Sequence, residues 1–158
     1  SNLFEEFQKL KANVPSQIMN IDDKFTIDDL DFYVLWPDYS KLVSESNPNN
    51  YSVVLLVDTG DFEILLTGDL EAEYQEYLLQ NKAIQHIEGE LDILKVAHQG
   101  ARDSFNETFL DNFKLKSAVI FVGKNSYGHP SSEVLNYLDR NYIKYKRTDL
   151  HGTVRFAF

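Results

Sequence analysis

Three short polar clusters interrupt otherwise apolar segments, and their side chains include groups that bind metal ions and phosphates. A carboxylate such as Asp69 can ligate or bridge divalent metals. Neutral imidazole, here His98, is the commonest nitrogen ligand for zinc and suits other divalent ions. His129 comes just before a predicted helix, where free backbone amides favour an anion, and it could donate a proton to a leaving oxygen. The clusters are Thr67-Gly68-Asp69, His98-Gln99-Gly100 and Tyr127-Gly128-His129-Pro130.

Each of these residues also has a simpler structural interpretation. Asp69 can cap the helix predicted to follow it, and His129 can cap its own helix. His98 can be a hydrogen-bonded structural residue at a strand end. For His151, turn chemistry is favoured over catalysis, and His86 lies in a weakly patterned segment with no predicted role.

The hydrophobic pattern predicts the elements that must position these clusters. Two apolar runs, residues 52–58 and 62–66, flank a Thr-Gly-Asp turn and predict a hairpin of buried strands. Each polar cluster follows the carboxyl end of a predicted strand, which is where α/β sheets usually gather their ligands. The pattern predicts helices at 4–11, 71–80, 105–113 and 130–142, and further strands at 17–21, 25–27, 30–35, 92–96, 118–122, 145–147 and 153–158. This alternation indicates an α/β architecture.

Composition bounds the class of protein. The chain has 158 residues, 43% of them hydrophobic, and no cysteine, which is typical of one soluble globular domain and excludes collagen-like, disulfide-framework and disordered classes. The sequence predicts neither a signal peptide nor a membrane-spanning segment.

The net charge of −10 argues against a broadly basic nucleic-acid surface. Residues 1–90 hold 5 basic and 18 acidic residues, whereas residues 91–158 hold 10 basic and 7 acidic residues. The second half could therefore face an anion, although the acidic loops of the first half can equally be a solvated face.

In their order and spacing the motifs resemble the C-terminal half of the metallo-β-lactamase-like domain of ComEC-type proteins. These are the membrane channels that take up DNA during bacterial natural competence. The likeness covers residues 49–158, from Asn49-Asn50-Tyr51-Ser52 through the three clusters to the Asp149-to-Thr153 turn. It implies an αββα sandwich, of which this chain supplies the C-terminal half as a mixed sheet with flanking helices. Residues 1–48 would add a helix, short strands and a loop to a single domain.

The resemblance also implies roles for particular residues. Asp69 looks like the metal-bridging carboxylate and His98 like the downstream metal ligand. His129 lies in the family's signature near the scissile phosphate and would be catalytic, while Arg102 and Lys124 are candidate contacts to backbone phosphates. The implied reaction is hydrolysis of DNA phosphodiesters at a two-metal site using Mn or Zn, plausibly degrading the non-transported strand.

Two departures from the family pattern bear on activity. Where the family commonly shows His-His-Gly-Ser, this chain has His98-Gln99-Gly100-Ala101. Residues 1–48 also lack the HxHxDH or HxDxDH cluster that supplies most ligands of the first metal. The chain is therefore interpreted as a half-domain that binds metal weakly or not at all by itself and is inactive alone.

Three interpretations follow from the sequence. The leading one is the C-terminal part of an extracytoplasmic, metal-dependent nuclease-like domain within a larger membrane protein, with DNA and a membrane-embedded channel region of the same polypeptide as partners. The second is a non-catalytic scaffold or partner-binding module of the same fold. The third is an unrelated acidic α/β interaction domain. Because a half-sandwich would expose apolar sheet surface, a homodimer of the chain is a further expectation.

Overall fold

Seven strands form one mixed sheet within the part of the chain that the structure describes. The computed structural model describes residues 2–12, 14–15, 17–82, 84–87 and 90–156, with the backbone alone for residues 2–4, 8 and 86. The strands are β1 (Lys24–Ile27), β2 (Leu30–Trp36), β3 (Val54–Asp58), β4 (Glu63–Leu66), β5 (Glu90–Lys95), β6 (Lys114–Ile120) and β7 (Lys144–Arg147).

The strands lie side by side in chain order. Strands β1 to β4 are antiparallel neighbours, and β4 to β7 are parallel neighbours. The hairpin predicted across the Thr-Gly-Asp turn is confirmed as β3 and β4. The predicted alternation of strands and helices is confirmed as the parallel half of the sheet, so the α/β class is confirmed.

The helices are short, and three of them contribute side chains to the core. They are α1 (Asn2–Lys11), α2 (Ala72–Leu78), α3 (Glu107–Leu110), α4 (Ser132–Arg140) and α5 (Thr148–His151), with 3-10 turns at Pro48–Tyr51, Ile84–Ile87, Ala97–Gly100 and Arg102–Ser104. Helix α4 begins at an N-cap serine, Ser131, whose hydroxyl accepts a 3.4 Å hydrogen bond from the Val134 N–H. Its buried residues Val134, Tyr137 and Leu138 face the core. None of the described helices is both long and apolar enough to span a membrane.

The core lies between one face of the sheet and helices α2 to α4. A row of cross-strand partners, Leu56, Leu65, Leu94 and Ala118, runs across four strands and is buried in the main cluster. Because side chains alternate along a strand, the neighbouring row points to the other face of the sheet. That second row is also apolar at its centre, with Val57, Ile64 and Ile93 aligned across three strands.

Two predicted strands are wrong. Residues 17–21 do not form a strand, because the chain enters a turn there: the Asn20 N–H donates to the Asp23 carboxylate at 2.8 Å, and Asp22 has φ 70°. Residues 153–156 lie in no strand either, and 157–158 fall outside the described residues. The turn predicted before them is one turn of helix, α5, which ends at Gly152 with φ 66°.

Two predicted helices are shorter than expected. The helix predicted at 105–113 is reduced to the single turn of α3. Helix α4 ends at Arg140, and Tyr142 lies beyond it with φ 56° and a side chain that is 93% exposed. Tyr142 therefore continues the apolar spacing of the helix in sequence without sharing its buried face. The sandwich fold and the division at residue 48 remain predictions.

Candidate functional site

The three polar clusters meet at one edge of the sheet, beyond the carboxyl ends of β4, β5 and β6. The His98 N–H donates to the Gly68 carbonyl at 3.1 Å, which joins the loops after β4 and β5. The Ser131 N–H donates to the Gly100 carbonyl at 2.8 Å, which joins the loops after β5 and β6. The convergence predicted from the parallel strands is therefore present in the backbone.

Two glycines in these loops lie against neighbouring segments. Gly100 has φ 79°, and a Cβ on it would lie 2.6 Å from the Pro130 Cβ, so a side chain there would push the loops after β5 and β6 apart. Gly68 has φ 56°, and a Cβ on it would lie 2.7 Å from the Ser52 Cβ, so a side chain there would push the loop after β4 away from the segment before β3.

The imidazole of His98 occupies the centre of this edge. His98 and Gln99 both have left-handed backbones, with φ 44° and 56°, which turn the chain sharply after β5. The His98 Nδ1 lies 3.5 Å from Glu71 Oε1 and 3.4 Å from Ser104 Oγ. Its ring centroid lies 5.6 Å from that of His129. His98 is thus held beside the second candidate histidine.

Asp69 lies on the adjoining loop but faces a lysine. Its N–H donates to Ser52 Oγ at 2.9 Å, and its Oδ1 lies 3.6 Å from the Lys95 Nζ. Lys95 also donates to the Gly68 carbonyl at 2.6 Å. Burial lowers the pKa of Lys95, and the Asp69 carboxylate opposes that effect. Asp69 does not cap α2, since the N-cap residue of that helix is Glu71.

His129 is fixed through its backbone. Asn125 accepts from the His129 N–H at 3.1 Å and donates to the His129 carbonyl at 2.9 Å, so that one amide side chain holds both backbone groups. The Tyr127 ring, 82% exposed, stacks against the His129 ring with 6.0 Å between centroids. The cap of the helix that follows is Ser131, so His129 does not serve as the N-cap of α4.

The remaining candidates lie at the periphery. Arg102 Nε lies 3.3 Å from Glu133 Oε1, so its charge is already paired, although its side chain is 76% exposed. Lys124 is exposed on the loop that also carries His129. His151 Nδ1 lies 3.2 Å from the Arg147 N–H and 2.9 Å from the Arg147 carbonyl oxygen, which agrees with the predicted turn role.

Sequence reasoning missed the polar network beneath His98. Glu71 accepts from Asn49 Nδ2 at 2.8 Å and from Ser104 Oγ at 2.9 Å. These three residues come from the 3-10 turn at Pro48–Tyr51, the start of α2 and the 3-10 turn at Arg102–Ser104, which are far apart in sequence. Of the three, only Asn49 lies in a segment quoted for the resemblance, and that segment does not indicate that the side chains meet.

The donor set only partly fits a metal centre. Within the described ranges no group of three or more His, Asp or Glu side chains is arranged to hold an ion. His98 offers an imidazole and Asp69 a carboxylate on joined loops, but a closed shell needs at least four ligands. The described residues therefore do not close a coordination shell by themselves.

Comparison with known proteins points to competence proteins. The chain is 38% identical over 137 residues to ComE operon protein 3 of Bacillus subtilis (strain 168), covering 86% of this chain and 17% of that protein. It is 32% identical over 111 residues to Recombination protein 2 of Haemophilus influenzae, covering 70% and 13%. It is 32% identical over 139 residues to Competence protein ComA of Neisseria gonorrhoeae, covering 86% and 19%.

These matches support a ComEC-type competence family for the chain. The chain spans less than a fifth of the length of each of these relatives. No family model matches the sequence.

Proposed function

We propose that this chain is part of a divalent-metal-dependent phosphodiesterase domain that acts on DNA within a larger competence protein. The observation that carries the proposal is the meeting of the Asp69, His98 and His129 loops at one edge of the sheet, joined by backbone hydrogen bonds. The similarity to proteins of DNA uptake supplies the substrate class. The parent would place this domain outside the cytoplasm, next to its membrane-embedded channel region.

In this proposal His98 and Asp69 are metal ligands, with Mn or Zn as the ion. A bound ion would polarise a phosphoryl oxygen and lower the pKa of bound water. The Lys95 ammonium, 3.6 Å from Asp69 Oδ1, would have to move away or share that carboxylate with the ion. The remaining ligands would come from outside this chain, since the donors here are too few.

His129 is proposed to contact the phosphate or to protonate the leaving oxygen. Its ring lies beside that of His98, which brings a second imidazole to the same edge. The two hydrogen bonds from Asn125 fix its backbone, so the ring is presented from a rigid loop. A positioned histidine contributes roughly 100- to 10,000-fold as a general acid. Lys124 and Arg102 would add weak contacts to flanking phosphates.

The chain by itself is expected to bind Mn or Zn weakly and to cleave no DNA. Two side chains cannot close a coordination shell. The isolated chain therefore cannot gain the binding free energy that a complete structural metal site provides. Isothermal titration calorimetry of the isolated chain measures this directly. Uptake of one tightly held ion per chain would contradict it.

The test of the proposal is cleavage of end-labelled DNA by the longest natural polypeptide that contains this chain. With added Mn, we expect cleavage that falls at least 100-fold in D69A, H98A and H129A. H151A is the matched control, because His151 contacts only its own helical turn and should leave the rate unchanged. Melting curves establish that each variant is folded. Cleavage that survives both D69A and H98A would overturn the proposal.

One observation favours a second candidate, a non-catalytic module of the same origin. The Lys95 ammonium lies 3.6 Å from Asp69 and so supplies a positive charge where the metal would be needed. Gln99 and Ala101 also stand where the resembling family has a second imidazole and a hydroxyl. Folded parent protein without metal-dependent cleavage, but with unchanged DNA uptake in D69A, would support this module instead.

A further inference from the structure

We infer that Glu71 is a positioning residue that fixes the imidazole of His98, with Nδ1 directed to the protein and Nε2 left for the ion. The inference rests on the proposed function of His98 as a ligand. Nothing in the sequence motifs assigns a task to Glu71, and the two side chains are 27 positions apart.

The Glu71 carboxylate is itself held in place. The residue is 9% exposed, and each carboxylate oxygen accepts a hydrogen bond, Oε1 from Asn49 and Oε2 from Ser104. The Glu71 N–H donates to Asn50 Oδ1 at 3.3 Å. A buried carboxylate needs such partners, and two separate segments, the 3-10 turns at Pro48–Tyr51 and Arg102–Ser104, supply them here. Glu71 therefore presents its charge to His98 from a fixed position.

Capping of the helix does not explain this arrangement. Glu71 is the N-cap residue of α2, yet its side chain makes no cap hydrogen bond to the helix. Its carboxylate turns instead toward His98, with 3.5 Å between Oε1 and Nδ1. The buried Glu71 carboxylate therefore lies beside the His98 ring and does not cap its own helix.

The contacts around Nδ1 favour one tautomer of His98. Ser104 Oγ donates its single hydrogen to Glu71 and can only accept from Nδ1. Asn49 Nδ2, also 3.4 Å from Nδ1, donates one hydrogen to Glu71 and keeps a second, so it is the one neighbour among these three that could donate to an unprotonated Nδ1. The atoms left to accept from Nδ1 are Glu71 Oε1 and the Ser104 oxygen. A proton on Nδ1 satisfies them and leaves the lone pair on Nε2. Metal-binding histidines are commonly oriented in this way, by a carboxylate at the nitrogen that does not bind the ion.

Nitrogen-15 NMR of the metal-free chain tests the inference without reference to activity. Long-range proton–nitrogen correlations report which ring nitrogen carries the hydrogen, at a pH where the spectrum itself shows a neutral ring. We expect the Nδ1–H form of His98 to predominate in the unaltered chain. An Nε2–H form would overturn the inference, and this measurement needs no variant.

Comparison of E71Q with E73Q separates the positioning effect of Glu71 from the general effect of removing one negative charge. Glu73 lies on the same helix and contacts Asn50 Nδ2 at 3.3 Å, but it is not among the groups around His98 Nδ1. In E71Q the amide can turn an N–H toward Nδ1, so the Nε2–H fraction should rise at least threefold, whereas E73Q should leave it unchanged. Equal tautomer ratios in the two folded variants would overturn the inference. If His98 carries its hydrogen on Nδ1 but the parent protein cleaves no DNA, the proposed function is refuted and the inference about Glu71 is not.

Discussion

Gly100 and Gly128 have nearly the same backbone but different surroundings, with φ 79° and 80°. A Cβ on Gly100 would meet Pro130, whereas a Cβ on Gly128 would meet nothing within 4 Å. Both G100A and G128A place a Cβ on a left-handed backbone, which costs about 1–2 kcal/mol of folding free energy. G100A should lose about 1–3 kcal/mol more, because it overpacks the contact between two site loops. Urea denaturation measures both, and equal losses would contradict the close approach.

Glu45 should make a defined contribution to acid stability. Hydrogen bonds from the Tyr74 hydroxyl, at 2.6 Å, and from Asn47 and Asn50 lower its pKa to about 2, from an ordinary value of 4.5. Because the pKa is lower in the folded state, this stability is present above about pH 4.5 and is lost as pH falls toward about 2.

E45Q should therefore melt at a lower temperature than the unaltered chain at pH 7, and the difference between the two melting temperatures should be smaller at pH 3. The partner Tyr74 carries the complementary effect, since the same hydrogen bond raises its pKa to about 12. Melting curves measured between pH 3 and 7 test this. A constant gap would show that the contact acts through packing and not through the charge of Glu45.

Residue types predicted the candidate donors but not their partners. Asp69, His98 and His129 could be singled out because each follows a strand end, and parallel strands bring such ends together. Glu71 and Lys95 could not, because their roles depend on side-chain directions across separate segments. Local patterns report burial and turns, whereas contacts between an Asn, a Glu and a Ser far apart in sequence arise only from the packed fold.

At the scale of elements, Asn106 ties two helices together. Its Oδ1 accepts from the Phe109 N–H at 2.9 Å at the start of α3, and its Nδ2 donates to the Ala72 carbonyl at 3.0 Å in α2. N106A should destabilise by about 1–2 kcal/mol, because a cap and a link are both lost.

N106D is the informative comparison, since it keeps the cap acceptor and removes only the donor to Ala72. Its loss should lie between zero and that of N106A. Asn112→Ala serves as a control, because the Asn112 amide donates to the Thr108 and Phe109 carbonyls, which both belong to α3 and not to α2. Denaturant unfolding measures all three variants. An N106D loss as large as that of N106A would show that the cap contributes nothing.

The type of an element could be predicted from the sequence where its apolar run was long. It could not be predicted where the backbone conformation of a few residues determined whether a strand formed. The β3–β4 hairpin and strands β5 and β6 follow from their β-branched and aliphatic residues. The strands predicted at 17–21 and 153–158 rested on short alternation, which a left-handed Asp22 and the extra helical turn α5 override. Alternation over five residues does not distinguish a strand from an extended loop.

For the whole molecule, the face of the sheet opposite the helices should govern association. Its central row, Val57, Ile64 and Ile93, is apolar; Val57 and Ile93 are 5% exposed, and Ile64 is half-buried. Because Val57 and Ile93 are already covered, Ile64 is the most exposed member of this row, and self-association of the isolated chain at high concentration, as predicted for a half-sandwich, should depend on it.

Light scattering across a concentration series measures this association. Ile64→Lys should shift the chain toward monomer, whereas Val43→Lys, at a position already 85% exposed, should not. A clean monomer of the unaltered chain at high concentration would contradict the expectation. At this scale the sequence predicted the α/β class, which the sheet and its helices confirm. The incomplete ligand set stays a prediction, and the described residues hold no group of three or more side chains that could complete it.

The central claim is that the His98 imidazole and the Asp69 carboxylate bind one ion in the parent protein. Anomalous diffraction at the Mn edge, from crystals of the longest natural polypeptide containing this chain, measures it most directly. The account predicts an ion roughly 2 Å from His98 Nε2 and from an Asp69 oxygen. An ion bound elsewhere, or Asp69 still paired with Lys95 in the Mn-soaked crystal, would contradict it.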